Sequence, residues 1–301
     1  MKRPVIGIYA IAGIVIAIWG STFISTKVLL GAFTPVEILV YRFIIAYLIM
    51  FALYPHVHRP EGFKTEISLA LAGITGGTLY FLAENFALSY SYASNVALLV
   101  STAPILTAIL AHLFIKGERV GKGAFVGAGI AFAGAALVIL NGKFVLKLNP
   151  LGDALAVLSA LSWAVYSIIV RNLKTKYSTY YVTRKIFFWT LITTAPVLIA
   201  FPARFDFRPL LDPKLLLNHA FLACFASSLA YVAWNRVIWT VGATKANNFI
   251  YFIPLFTLAE SAAFLGEPLT PCAIAGAALI FAGVFVTARV IPAHGAKSES
   301  Q

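Results

Sequence analysis

Charge is scarce in this chain. Asp, Glu, Lys and Arg together make up 11% of its 301 residues, against about 25% in an ordinary soluble domain. Acidic side chains are the scarcer kind, 11 Asp and Glu against 23 Lys and Arg. Cysteine is almost missing, and both copies, Cys224 and Cys272, sit inside apolar runs. Two such thiols read as small core residues rather than as a disulfide or a metal site. The five His (56, 58, 112, 219 and 294) form no metal-ligand spacing, and His112 is the weak candidate among them for a proton relay. No nucleotide-binding motif is present. The G-x-x-x-x-x-x-G spacing at 127–134 follows no strand and precedes no Lys-Ser pair, so it is not a phosphate loop. We therefore expect no cofactor, no metal and no intrinsic ATP hydrolysis.

Apolar residues fill the space that charge leaves. They make up 60% of the chain, and mean hydropathy is +0.89. A membrane-crossing helix needs about 20 mostly apolar residues. Runs of that kind fall at 5–29, 35–54, 67–89, 93–115, 121–141, 151–171, 180–201, 215–238, 244–265 and 271–291. They are continuous and too long for the alternating segments of about 10 residues in a β-barrel. The expected fold is an all-α integral membrane protein of ten transmembrane helices. Met1-Lys2-Arg3 leads straight into the first run, without the short apolar region and cleavage site of a signal peptide, so the first helix is expected to be retained.

The formal net charge of +12 is explained by topology rather than by nucleic acid. Lys2, Arg3, Arg59, Lys64, Lys116, Arg119, Lys122, Arg171, Lys174, Lys176, Lys245, Arg289 and Lys297 fall on the side of the N-terminus. Lys143, Lys147, Arg204, Arg208 and Lys214 fall on the other. The positive-inside rule then places both termini in the cytoplasm of a bacterial inner (plasma) membrane. The tail 292–301 is polar and expected to be disordered.

The chain also repeats itself. A-E-N-F-A-L-S-Y-S-Y-A-S-N (83–95) aligns with A-W-N-R-V-I-W-T-V-G-A-T-K (233–245). Asn85 then matches Asn235, Ala93 matches Ala243 and Pro104 matches Pro254, all at an offset of 150. Gly117-Glu118 matches Gly266-Glu267, and G-A-G-I-A-F-A-G (127–134) matches G-A-A-L-I-F-A-G (276–283), at 149. Trp19 pairs with Trp163 at 144. The near-constant offset carries the argument, since single matches between apolar helices are weak. The unit is five helices, 1–145 and 146–291, and an odd number makes the second copy enter the membrane from the opposite side. Inverted repeats with a site between the halves are a transporter architecture. Pro104 and Pro254, near the middle of spans 4 and 9, are hinge or gate candidates because a mid-helix Pro removes a hydrogen bond.

W-G-S-T-F-I-S-T-K (19–27) resembles the opening motif of the EamA family of the drug/metabolite transporter superfamily. So does A-S-N-V-A-L-L-V-S-T-A-P-I-L-T-A-I-L-A-H-L-F-I-K-G-E-R-V (93–120) with the Gly-rich span after it. The second copy, A-T-K-A-N-N-F-I-Y-F-I-P-L-F to G-E-P-L-T, is similar to the same pattern. One departure is Ala164 where the first copy has Gly20. The resemblance implies a ten-helix exporter of small metabolites, often amino acids, and points toward the YddG type that moves aromatic and other neutral ones. The implied partners are a small-molecule substrate and membrane lipid, with the chain acting as a monomer.

Polar residues inside the spans are the site candidates, because they face the bundle interior. Gly76, Tyr80 and Glu84 share one face of span 3, and Ser227, Tyr231 and Asn235 share one face of span 8. Trp19, Thr22, Trp163, Tyr166, Asn248 and Tyr251 complete the expected cavity wall. Aromatic rings would stack on an apolar substrate side chain, and amides would bind its head group. Glu84 lies five or six residues from the outer end of span 3, ~8–9 Å at 1.5 Å per residue. It is expected to be either a vestibule carboxylate, hydrated or paired with Lys27 for which Glu37 competes, or a binder of a substrate amine or a proton. Arg42 is expected to serve the bundle interior, on a carbonyl or carboxylate. Arg184, Lys185 and Arg236 are expected to snorkel to the cytoplasm, Trp239 and Tyr9 to sit in the interfacial belt, and Glu118 and Glu267 to cap or pin loops. Gly127, Gly134, Gly276 and Gly283 suit close helix packing. A secondary carrier is the favoured reading. A channel would be saturation-free, and a polytopic membrane enzyme would need clustered His, Asp or Glu, which the chain lacks.

Overall fold

A computed structural model of the chain describes residues 3–115, 121–140, 149–265 and 270–290. Glu118 and Glu267 lie outside the described residues. The described part is helical, with no strand among the described residues. In order the α-helices are α1 Arg3–Gly20, α2 Thr22–Leu29, α3 Pro35–Leu53, α4 Phe63–Gly73, α5 Leu79–Tyr90, α6 Ala93–Val100, α7 Ala103–Phe114 and α8 Lys122–Leu140. Then follow α9 Pro150–Asn172, α10 Thr179–Thr194, the short α11 Val197–Ala200, α12 Pro213–Ala220, α13 Ala230–Val241, α14 Ala243–Asn247, α15 Ile253–Leu265 and α16 Pro271–Val290.

Joined end to end, these give nine helical stretches long and apolar enough to cross a membrane among the described residues, from Gly7–Leu29 to Pro271–Arg289. Between the last two, α14, a 3-10 turn at Asn248–Phe252 and α15 follow one another without a gap. Large apolar side chains such as Ile14, Leu48, Leu113 and Phe281 are exposed on the outside of the bundle. That pattern suits lipid rather than water as the surrounding solvent.

Helix starts are set by local chemistry. Thr34 and Glu37 form a reciprocal capping box ahead of α3, with Pro35 in the first turn. Asn149 and Ser178 cap α9 and α10 through their side chains. Asp212 does the same for α12.

Several spans are not continuous α-helix. Span 1 breaks at Ser21 between α1 and α2, and the break is held from α15: Thr257 Oγ1 donates to the Gly20 carbonyl (2.9 Å) and Ser21 Oγ to Glu260 Oε2 (2.7 Å). Span 4 breaks at Ser101-Thr102 between α6 and α7. Pro104 therefore lies in the first turn of α7, and Pro254 directly follows the start of α15. Both prolines sit where a missing N–H costs little. A break precedes Pro104 and a 3-10 turn precedes Pro254, so each proline opens its α-helix rather than sitting in its middle.

Two spans carry π-helical turns, Ile74–Thr78 between α4 and α5 and Phe221–Leu229 between α12 and α13. Such wide turns are rare and concentrate at functional sites. In the first, Gly76 and Gly77 let neighbours in: a Cβ on Gly76 would lie 2.3 Å from the Tyr166 ring, and one on Gly77 1.9 Å from Thr190 Oγ1. At the other edge of the bundle α8 and α16 run along each other. A Cβ on Gly134 would meet the Gly276 carbonyl at 2.6 Å, and one on Gly283 the Ala131 nitrogen at 2.4 Å. The four glycines expected to pack closely thus form a backbone-to-backbone seam.

Candidate functional site

A cavity of about 40 Å³ lies in the middle of the bundle, room for a few waters. Both halves of the chain wall it. Trp19, Thr22 and Phe23 come from span 1, Arg42 from α3, Tyr80, Phe81 and Glu84 from α5, and Val100 and Ala103 from the span 4 break. Trp163 of α9, Tyr231 of α13, and Ile250 and Ile253 at the 3-10 turn close it from the other side.

The aromatic wall is a connected stack. Trp19 meets Trp163 edge-on at 5.2 Å and Tyr231 at 6.1 Å, and Trp163 meets Tyr80 at 5.2 Å. These spacings are those of favourable ring pairs. The polar tips of Trp19, Trp163 and Tyr231 are anchored on residues that do not line the cavity. Trp19 Nε1 donates to the Ala226 carbonyl (3.0 Å) and Trp163 Nε1 to Asn247 Oδ1 (2.9 Å). The Tyr231 hydroxyl donates to the Gly76 carbonyl (2.7 Å), and Thr22 Oγ1 to the Trp19 carbonyl (2.8 Å). What faces inward from these rings is therefore apolar surface.

Two charged side chains break that surface. Glu84 is 5% exposed and Oε1 accepts from the Tyr80 hydroxyl at 2.8 Å. Arg42 is 3% exposed, Nε donates to Ser227 Oγ at 2.6 Å, and its guanidinium lies 4.2 Å from the Phe81 ring centre.

Of the residues expected at the site, Trp19, Thr22, Tyr80, Glu84, Trp163 and Tyr231 come together on the wall. Tyr166 and Asn235 lie behind it, where the Tyr166 hydroxyl donates to Asn235 Oδ1 (2.5 Å) and Asn235 Nδ2 to Thr183 Oγ1 (3.0 Å). Asn248 is buried in the 3-10 turn, and Tyr251 packs toward Ala128 and Ile280 in a separate cluster against α8 and α16. Asn85, matched to Asn235, donates to the Pro35 carbonyl (3.0 Å) and pins the start of α3.

Four expectations about charges are corrected. Lys27 does not pair with Glu84: its Nζ donates to the Leu88 (2.5 Å) and Ser91 (3.1 Å) carbonyls at the end of α5. Glu37 is occupied by the Thr34 capping box and by the Arg204 amide (2.8 Å). Arg42 bonds a hydroxyl rather than a carbonyl or carboxylate, and it lines the cavity. Arg184 does not snorkel. It is buried, donates to the Tyr54 and His56 carbonyls, and packs on the Phe51 and Tyr181 rings. Its neighbour Lys185 pairs with Glu66 at 2.5 Å, and Arg236 is exposed. Trp239 is half-buried, with Nε1 on the Val170 carbonyl (2.7 Å).

The sequence signal that could have found Arg42 was its position: an ionisable residue inside a membrane span marks a functional site by default. Phe23, Phe81 and the aliphatic wall residues had no such signal.

The loop between α11 and α12 packs on Tyr41 of α3. Phe205, at a φ of 48°, and Phe207 bring their rings to 6.1 and 5.3 Å of Tyr41. Hydrogen bonds from Arg208 hold the Asp206 carboxyl down at about 2.

An all-helical bundle with a lipid-suited exterior and an aromatic cavity walled by both halves of the chain defines a multi-pass membrane transporter. The chain belongs to the EamA-like transporter family, whose profile matches residues 6–140 and again 150–289. It is similar to a "Probable amino-acid metabolite efflux pump" of Escherichia coli K12, 26% identical over 287 residues, covering 92% of this chain and 93% of that protein. It is also similar to a "Probable terminal-alkyne amino-acid exporter" of Streptantibioticus cattleyicolor, 25% identical over 77% of this chain and 76% of that one. "Uncharacterized transporter YyaM" of Bacillus subtilis is 28% identical over 93% of this chain and 94% of its own. A crystal structure superposes with a TM-score of 0.76 over 95% of this chain and 98% of its own. At 20% identity that likeness speaks for the fold alone. The family and these relatives are transporters, not enzymes.

Proposed function

We propose that the protein is a secondary transporter that exports small metabolites, with neutral or aromatic amino acids as the substrate class. The route is alternating access through the central cavity. The observation that carries this reading is the composition of the wall: Trp19 and Tyr80 from the first half face Trp163 and Tyr231 from the second. A site walled by both halves opens to one face or the other when the halves rock. At about 40 Å³ the cavity has to widen to admit an amino acid, which favours a carrier over a channel. The names of two relatives support the substrate class.

In this reading the run α14–α15 is a tenth crossing, and the repeats 1–145 and 146–291 are inverted. Both termini are then cytoplasmic, in a bacterial inner membrane, and a single chain is the working unit. No nucleic-acid partner is involved. Pro104, just past a helix break, and Pro254, just past the 3-10 turn, mark the hinges. Trp19, Thr22, Tyr80, Glu84, Trp163 and Tyr231 contact the substrate, while Tyr166, Asn235, Asn248 and Tyr251 support them.

The deciding experiment is counterflow of labelled amino acids in proteoliposomes. Saturable exchange of at least one neutral amino acid is expected, and absence of exchange for every neutral amino acid would overturn the reading.

A further inference from the structure

Arg42 and Glu84 carry opposite charges into one buried cavity, yet each is held by a different neutral partner. Arg42 uses only Nε, on Ser227. Its two terminal amino groups have no hydrogen-bond partner among the described residues. Glu84 uses only Oε1, on Tyr80, and Oε2 has none among the described residues. An arginine does not shed its charge, and Arg42 and Glu84 act on each other only through space, leaving their remaining polar atoms without a bonded counter-charge. The arrangement lacks one ligand group of each sign.

We propose that Arg42 and Glu84 read the two ends of a zwitterionic α-amino acid, the guanidinium fork taking the carboxylate and Glu84 taking the ammonium. The fork geometry matches a carboxylate through two parallel N–H donors. An α-amino acid adds one charge of each sign and leaves the cavity neutral. A simple carboxylic acid or amine would leave one buried charge uncompensated, so the pair selects against molecules that lack either group. The substrate side chain is then directed to the rings of Trp19 and Trp163. This inference rests on the transport reading above and specifies the chemistry of the same site.

The test uses the full chain in proteoliposomes, with counterflow of labelled L-phenylalanine and, in parallel, L-alanine. Two competitors each lack one charge: N-acetyl-L-phenylalanine has no ammonium, and L-phenylalanine methyl ester has no carboxylate. Each is expected to need at least ~10-fold more for half-inhibition than L-phenylalanine. Glu84→Gln should shrink the gap for the N-acetyl compound to within about threefold, leaving the ester gap in place. Arg42→Gln should do the reverse. A merely structural role would shift all three ligands together.

If both analogues compete as well as phenylalanine in the wild type, the inference is overturned whatever the variants do. Amino-acid exchange without that discrimination sinks this inference and leaves the transport reading standing. No exchange of any neutral amino acid sinks both.

Discussion

Tyr231 donates its phenolic proton to the backbone carbonyl of Gly76, 155 positions earlier, at 2.7 Å. The bond joins the first π-turn to the helix that follows the second. It also places the Tyr231 ring on the cavity wall. A wide turn presents its carbonyls less regularly to its own helix, and Tyr231 satisfies one of them from across the bundle.

Removing that hydroxyl in Tyr231→Phe should lower stability by about 0.5–1.5 kcal/mol, the net worth of one hydrogen bond. Gly76→Ala should cost more, on the order of 1–3 kcal/mol as an overpacked site. Its methyl would meet a Tyr166 ring already tethered to Asn235. Thermal unfolding in detergent of the two variants should give that order.

The α8–α16 seam predicts a similar cost from the smallest possible change. Gly283→Ala places a methyl 2.4 Å from the Ala131 nitrogen and 2.5 Å from the Gly127 carbonyl. Backbone on both sides leaves nothing flexible to yield, so a loss of roughly 1–3 kcal/mol is expected. Gly129→Ala, on the facing helix α8 with nothing within 4 Å, should be neutral or mildly stabilising. Parallel melting curves of the two would check this.

Trp163 should set the preference among side chains. Trp163→Ala removes a ring from the stack and should raise the KM for L-phenylalanine about tenfold, the scale of one aromatic contact. The KM for L-alanine, which has no ring to stack, should rise less. Trp163→Phe should keep most of the preference. Equal loss for both substrates in counterflow would remove Trp163 from the specificity wall.

Acid should reach the loop between α11 and α12 late. Asp206 in the folded chain titrates at about 2, below the usual carboxylate value, because Arg208 donates to it. A depressed carboxylate contributes stability above its unfolded value of about 3.9, and that contribution disappears as pH falls toward the folded one. The difference in melting temperature between wild type and Asp206→Asn should therefore be flat from pH 5 to 8 and should close only below about pH 4.

Much of the architecture was legible before any coordinates. Scarcity of charge, long apolar runs and the 150-residue offset are each one-dimensional signals, and each reports on a one-dimensional constraint: the thickness of a membrane, or a duplicated segment. The site was legible in part. Tyr80 and Glu84 share a face with Gly76 and reach the cavity. The matching stripe Ser227–Tyr231–Asn235 fails at its end. Asn235 follows Tyr231 by four residues, as Glu84 follows Tyr80, but it is held by Tyr166 and Thr183 behind the wall, a placement that spacing alone does not encode. Lys27 was misassigned because a helix-end carbonyl is as good a partner for an ammonium as a carboxylate is, and carbonyls leave no mark in a sequence.

The sequence by itself determined that this is a helical multi-pass membrane protein, repeated, and of the EamA type. Apolar length and matched motifs depend only on residue order. The tertiary structure alone decided which rings and charges share one cavity. In a membrane both lipid and core are apolar, so hydrophobicity does not say which way a helix faces. Rotation is set by small contacts: a glycine that admits a tyrosine ring, a π-turn that shifts the register, a serine that receives Arg42. These placed Arg42 on the wall with Glu84.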